Sequence, residues 1–101
     1  MHGTFMDSVG WFYPENTGLP WEEGVDRPLP VRMWEEGYDV WLSNMRGTMY
    51  SRDHETYNSS DPTSEYWHFS MAEKGMLDVP ATIKKIKEVS LVEKVAYIGY
   101  S

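Results

Sequence analysis

The sequence predicts an α/β fold in which parallel strands are joined by crossover helices. Two apolar runs with β-branched and aromatic character, Val40-Trp41-Leu42 and Val95-Ala96-Tyr97-Ile98, read as buried strands, and each follows a segment with helical periodicity. The alternation helix, strand, helix, strand marks this class, because parallel neighbours cannot be joined by a tight turn and need a crossover. The second run also leads into Gly99-Tyr100-Ser101, a strand-to-turn junction of the kind that presents a nucleophile.

Each element has a local cause. Pro28 and Pro30 suit a helix start, Leu29 and Met33 share a helical face, and Gly37 supplies a left-handed stop, so a short helix should end at Gly37. Tyr38 to Leu42 then forms the first strand. Residues 46–65 are rich in Ser, Asp, Asn and Thr and read as loop. Ser70 followed by Glu73 is a capping-box pattern that should start a helix. Asp78 with Pro80 gives a second start, with Val79, Ile83 and Ile86 as its apolar stripe. Lys84, Lys85 and Lys87 gather towards that helix's C-terminal end, where the dipole favours cations, and form a solvated face. Val95 to Ile98 is the second strand. The Pro- and Gly-rich stretch from Trp11 to Arg27 reads as a surface loop, and no internal repeat or low-complexity tract is present.

Composition narrows the function. At 101 residues there is room for one small domain, and 41% apolar residues is ordinary for a globular protein. A formal charge of −7 argues against a phosphate-binding surface and hence against nucleic acid, which needs clustered Lys and Arg. No apolar run approaches the roughly 20 residues of a membrane span, and no basic segment with an apolar core precedes the first motif as a signal peptide would. The chain has no Cys, so no disulfide forms within it.

In the Gly-x-Ser-x-Gly elbow the serine sits on a sharp turn that small flanking residues permit. Gly99 and Ser101 match its first half. Any Val/Ile/Tyr strand can end in Gly-x-Ser, so the motif gains weight only from the rest of the chain.

That remainder resembles the acid lipase family (gastric and lysosomal lipases, steryl ester hydrolases) over nearly its whole length. His2-Gly3-Thr4 resembles the His-Gly-Leu oxyanion segment, with Asp7-Ser8 and Trp11 following. Gly37-Tyr38-Asp39-Val40-Trp41-Leu42-Ser43-Asn44-Met45-Arg46-Gly47 is similar to the family's Gly-Tyr-Asp-Val-Trp-Leu-Gly-Asn-x-Arg-Gly block, the most specific signature present. Tyr50 to His54, Glu65 to Ser70 and Asp78 to Ile83 also match family blocks. Thr4 departs from Leu, Ser43 from Gly and Tyr100 from His. The first change is tolerable, since an oxyanion hole uses the backbone N–H.

The resemblance implies a fragment, residues 1–101, of a single α/β-hydrolase domain running from oxyanion loop to nucleophile strand. The sheet should be incomplete: the family's strand before His-Gly lies between the two strands retained here, so these should flank a gap and not pair with each other. It further implies the serine hydrolase segment of a lipase or carboxylic ester hydrolase acting on acylglycerols or sterol esters. Ser101 would be the nucleophile on the turn Gly99-Tyr100, the backbone N–H of Thr4 an oxyanion donor, and His2 and Gly3 the support of that loop. The triad acid and base would lie downstream, leaving the isolated chain inactive and unstable. Its partners would be a lipid ester substrate and the remainder of the same domain or another chain, with no cofactor and no metal. Family membership implies a secreted or lysosomal setting, in which Asn58 of Asn58-Ser59-Ser60 could accept a glycan.

Rival readings draw on the same residues. His54, Asp78 and Ser101 mimic the His, Asp, Ser order of an all-β protease fold, which the capped helices oppose. His2, Asp7, His54 and His68 lack metal-ligand spacing. Trp41 and Trp67 read as core or core-edge packing, Met45 and Met49 as apolar filler, and Trp21 as the most exposed tryptophan. The alternative to an enzyme is a non-catalytic remnant serving as a structural or interaction element in a larger assembly.

Overall fold

The Ser70 side chain accepts the Ala72 N–H at 3.1 Å while Glu73 accepts the Ser70 N–H at 2.7 Å, and this reciprocal cap starts the longest helical stretch of the chain. Being hydrogen-bonded by Ser70, the Glu73 carboxyl is held below its usual range. The computed structural model describes residues 1–13 and 27–101. A 3₁₀ turn at Ser8–Phe12 comes first, then helix α1 (Leu29–Glu35), a 3₁₀ turn at Glu65–Trp67, one turn of helix α2 (Met71–Glu73), a π-helical segment at Lys74–Asp78 and helix α3 (Val79–Ser90). The expected surface loop from Trp11 to Arg27, with Trp21, lies mostly outside the described residues.

Helix α1 is built as expected. Pro30 lies in its first turn, where a missing N–H costs nothing. The Gly37 N–H returns to the Trp34 carbonyl at 3.0 Å and the Tyr38 N–H to that of Met33 at 3.1 Å. With Gly37 at φ +93° this is a Schellman stop, which a residue with a Cβ resists.

The second expected helix start is not a start. Asp78 makes no cap hydrogen bond and sits in helical conformation, because the helix begun at Ser70 runs on through it. Pro80 lacks an N–H and its ring crowds the preceding turn. The chain accommodates it by widening to π geometry just before, with the Val79 N–H donating to Lys74. Asp78 is thereby freed for Arg46: it accepts the Arg46 backbone N–H at 3.0 Å and the guanidinium Nε at 2.8 Å. That hydrogen bond holds the Arg46 guanidinium above its usual value.

The α/β expectation fails on the strands. Among the described residues there is no strand, hence no parallel sheet and no crossover, and every regular element is helical. A helix satisfies its own backbone, whereas a strand exists only against a partner. Residues 38–42 and 95–98 exchange no backbone hydrogen bond with each other. A groove of about 370 Å³ opens instead, lined by both segments and by Leu29, Met33, Ile83 and Ile86. Trp41, expected in the core, stands exposed on this groove, its Nε1 donating to Asp39 at 2.9 Å. Met49 is exposed, while Met45 is 2% exposed and the most buried apolar residue described. Trp67 does pack, edge-on to Tyr66 at 4.7 Å and beneath Arg52. Of the loop expected at residues 46–65, residues 46–64 carry no helix or strand and Glu65 opens the 3₁₀ turn at Glu65–Trp67.

Asp78→Ala in the full-length polypeptide should cost about 1–2 kcal/mol, since it strands the Arg46 N–H and guanidinium in a partly exposed pair. Chemical denaturation measures this, and an unchanged midpoint would show that the pair carries no stability.

Candidate active site

Gly3 lies against the Gly99-Tyr100-Ser101 turn so closely that a Cβ on it would stand 3.0 Å from Ser101 Cβ and 3.3 Å from the Tyr100 carbonyl oxygen. The two ends of the described chain are thus brought together. Met1 donates to the Ile98 carbonyl and accepts the Tyr100 N–H at 3.1 Å, and Trp11 packs edge-on against Tyr100 at 6.5 Å.

Ser101 is exposed and has φ +62°. A left-handed conformation at a residue other than Gly is uncommon, costs of order 1–3 kcal/mol and concentrates at functional sites. Phe5, also at φ +62°, is the third residue of a tight turn closed by Met6 N–H to Gly3 carbonyl at 3.2 Å, and its side chain is fully exposed.

His2 is 5% exposed. Its Nε2 faces the Met45 N–H at 3.1 Å and its Nδ1 faces the Gly3 carbonyl at 2.9 Å. A backbone N–H can only donate and a carbonyl can only accept, so Nδ1 carries the proton and Nε2 the lone pair. Both nitrogens are committed, and the ring has none left to take a proton from Ser101. His54 Nδ1 accepts the Thr56 and Tyr57 N–H groups at 3.0 Å, and His68 Nδ1 lies 2.9 Å from Glu65. The order His54, Asp78, Ser101 therefore describes no triad, because Asp78 belongs to Arg46 and His54 to its own loop. Asn58 is exposed and accepts the Ser60 N–H at 2.9 Å in a local turn.

Two clamps were not anticipated. The Ser8 N–H donates to Asn44 Oδ1 at 2.9 Å and Asn44 Nδ2 donates to Ser8 Oγ at 3.0 Å, while the Met45 N–H holds His2. Asp7 caps the 3₁₀ turn by accepting the Val9 N–H at 2.8 Å. The cap is legible in Asp7 as a side chain that favours helix starts. The Asn44 and Met45 contacts span 36 and 43 residues, and no local pattern signals them.

Because Gly3 is crowded, Gly3→Ala should destabilise the full-length polypeptide by about 1–3 kcal/mol. Gly75 meets nothing within 4 Å of a would-be Cβ and lies in the helical run, so Gly75→Ala should be neutral or stabilising by up to about 1 kcal/mol. Equal melting temperatures for the two variants would contradict the close approach of Gly3 to Ser101.

Several known proteins are similar to the chain along 99% of its length. It is 46% identical over 100 residues to a Schizosaccharomyces pombe protein named as a probable lipase, 43% identical over 100 residues to lipase member K of Homo sapiens and 36% identical over 100 residues to gastric triacylglycerol lipase of Mus musculus. It spans about a fifth of their length: 20%, 22% and 22% respectively. No family model and no solved structure matches the chain. The resemblance to the acid lipase family therefore holds, and the chain is a lipase-like segment related to these enzymes over about one fifth of their length.

Proposed function

We propose that Ser101 is the nucleophile of a carboxylic ester hydrolase acting on acylglycerols or sterol esters, and that the backbone N–H of Thr4 helps to hold the oxyanion. The observation that carries this reading is the approach of Gly3 to Ser101, which puts the residue before Thr4 against a strained, exposed serine. Attack by Ser101 Oγ on the ester carbonyl forms an Oγ–C bond and moves the carbonyl electron pair onto oxygen, where the Thr4 N–H would donate to it. The Oγ proton needs a base. His2, His54 and His68 are engaged elsewhere, so base and acid come from the remainder of the domain or another chain. A relative named as a triacylglycerol lipase supports acylglycerols, the family resemblance alone supports sterol esters and a secreted or lysosomal setting, and Asn58 is the glycan acceptor in such a setting.

In the full-length polypeptide a fluorophosphonate probe should label Ser101 and lose that label in Ser101→Ala; labelling that persists would place the nucleophile elsewhere. Thr4→Pro, which deletes the donor, should lower kcat on a p-nitrophenyl ester by roughly a hundredfold or more, while Thr4→Leu is tolerated. Residues 1–101 alone should show no turnover, and hydrolysis abolished by Ser101→Ala in that polypeptide would refute this. Glycosidase treatment of protein secreted from a eukaryotic host should shift its mass, and Asn58→Gln should remove the Asn58 share; an identical shift in the variant would exclude Asn58.

A further inference from the structure

We infer that His54 is a pH-sensitive latch on the loop that carries Asn58: the neutral imidazole holds residues 54–57 in a closed turn, and protonation releases them. His54 Nδ1 accepts the N–H groups of both Thr56 and Tyr57 at 3.0 Å. A backbone N–H can only donate, so the nitrogen that faces two of them must carry its lone pair, and the proton of the neutral ring lies on Nε2. The closed turn and the imidazolium therefore exclude one another. Protonation sets a third donor against two donors, and both amides lose their partner at once.

The same device recurs along the chain with other side chains, and the comparison singles out His54. Asp7, Asn58, Asp61, Ser64 and Ser70 each accept the N–H two residues on, from Val9, Ser60, Thr63, Tyr66 and Ala72, and each does so with an oxygen. Amide and hydroxyl oxygens go on accepting as the solution is acidified. The hydrogen bonds from Thr63 hold the Asp61 carboxyl below its usual range, which keeps it an acceptor as well. Among the described residues only His54 makes this staple with an imidazole, the side chain whose charge changes between about pH 5 and 8.

The groups around the ring leave the latch to its own proton. Tyr57 stacks on His54 at 4.8 Å and Tyr66 meets it edge-on at 5.9 Å, and phenols as a class titrate well above that range. Asp53 and Glu55 flank it as exposed carboxylates, Arg52 lies over Trp67 at 5.3 Å, and Glu65 pairs with His68 at 2.9 Å. No carboxylate among the described residues pairs with His54. A proton on His68 strengthens its contact with Glu65, whereas a proton on His54 breaks two. Tyr66 keeps its own bonds to the Gly47 N–H and the Ser51 carbonyl, so the release is confined to the loop.

Hydrogen exchange of the Thr56 and Tyr57 amides in the full-length polypeptide, referred to unstructured-peptide rates at each pH, tests the latch. Protection in the wild type should fall roughly tenfold from about pH 8 to about pH 5, as two hydrogen bonds are lost. His54→Asn supplies the oxygen acceptor that Asn58 already uses in this loop and should keep its protection at both ends of the range, whereas His54→Ala should show little at either. His68→Gln should respond as the wild type does. Chymotrypsin gives a second readout: cleavage after Tyr57, taken as the ratio of wild type to His54→Asn so that the protease's own pH dependence cancels, should rise in acid by a similar factor. Protection in the wild type that does not change with pH would overturn the inference. So would a His54→Asn variant that loses protection in acid as the wild type does, since another group would then be titrating. Equal protection in His54→Ala and the wild type at about pH 8 would show that the imidazole holds no turn.

Discussion

Four consecutive residues, Asn44 to Gly47, hold the described chain together, because each bonds a different remote segment. Asn44 takes the backbone and hydroxyl of Ser8, the Met45 N–H takes His2, Arg46 takes Asp78, and the Gly47 N–H donates to the Tyr66 hydroxyl at 3.1 Å. Tyr66 in turn donates to the Ser51 carbonyl at 3.2 Å, closing the loop after Gly47. Gly47 itself, at φ +82°, would drive any Cβ to 2.7 Å from Phe69. The constraint is one of accounting for polar groups: a partly buried backbone must find partners, and here those partners are side chains from elsewhere in the chain. The result is that the His2-Gly3-Thr4 segment and the middle of the helical run are tethered to the same short stretch.

The buried apolar set is small, with Met45 and Tyr66 in it, while Leu77, Leu91, Ile98 and many aromatic side chains remain exposed. The groove between residues 38–42 and 95–98 belongs with that observation. Its lining is mostly apolar, with Asp39, Ser43, Thr82, Ser90 and Lys94 among it, and the segments that border it include those whose composition favours strands. Among the described residues the regular elements are all helical, and order is carried by caps, turns and ion pairs, which are local or pairwise, in place of a ladder.

Of the three described non-glycine residues at positive φ, Leu91 ends helix α3, while Phe5 and Ser101 lie on the two segments that Gly3 brings into contact. Backbone strain persists only where neighbours over-determine the conformation. For Phe5 the neighbour is the turn closed by Met6. The chemistry proposed for this corner depends on orientation far more than on charge.

What the sequence determined by itself was local. The stop at Gly37, the capping box at Ser70 and Glu73, and all but the last residue of the loop expected at 46–65 depend on residues within a few positions of one another, and each is present. The residues of the candidate site were legible as motifs, and the relatedness to lipases was legible in the Gly37 to Gly47 block. Tertiary structure decided the rest. Asp78 reads as a helix start, yet a helix already running from Ser70 and an arginine 32 residues away made it an anchor. Val40 to Leu42 and Val95 to Ile98 have strand composition, yet a strand needs a partner at hydrogen-bonding distance, and composition does not supply one. The proximity of Gly3 to Ser101, and the tautomer of His2, follow from contacts between residues far apart in the chain, which no local pattern encodes.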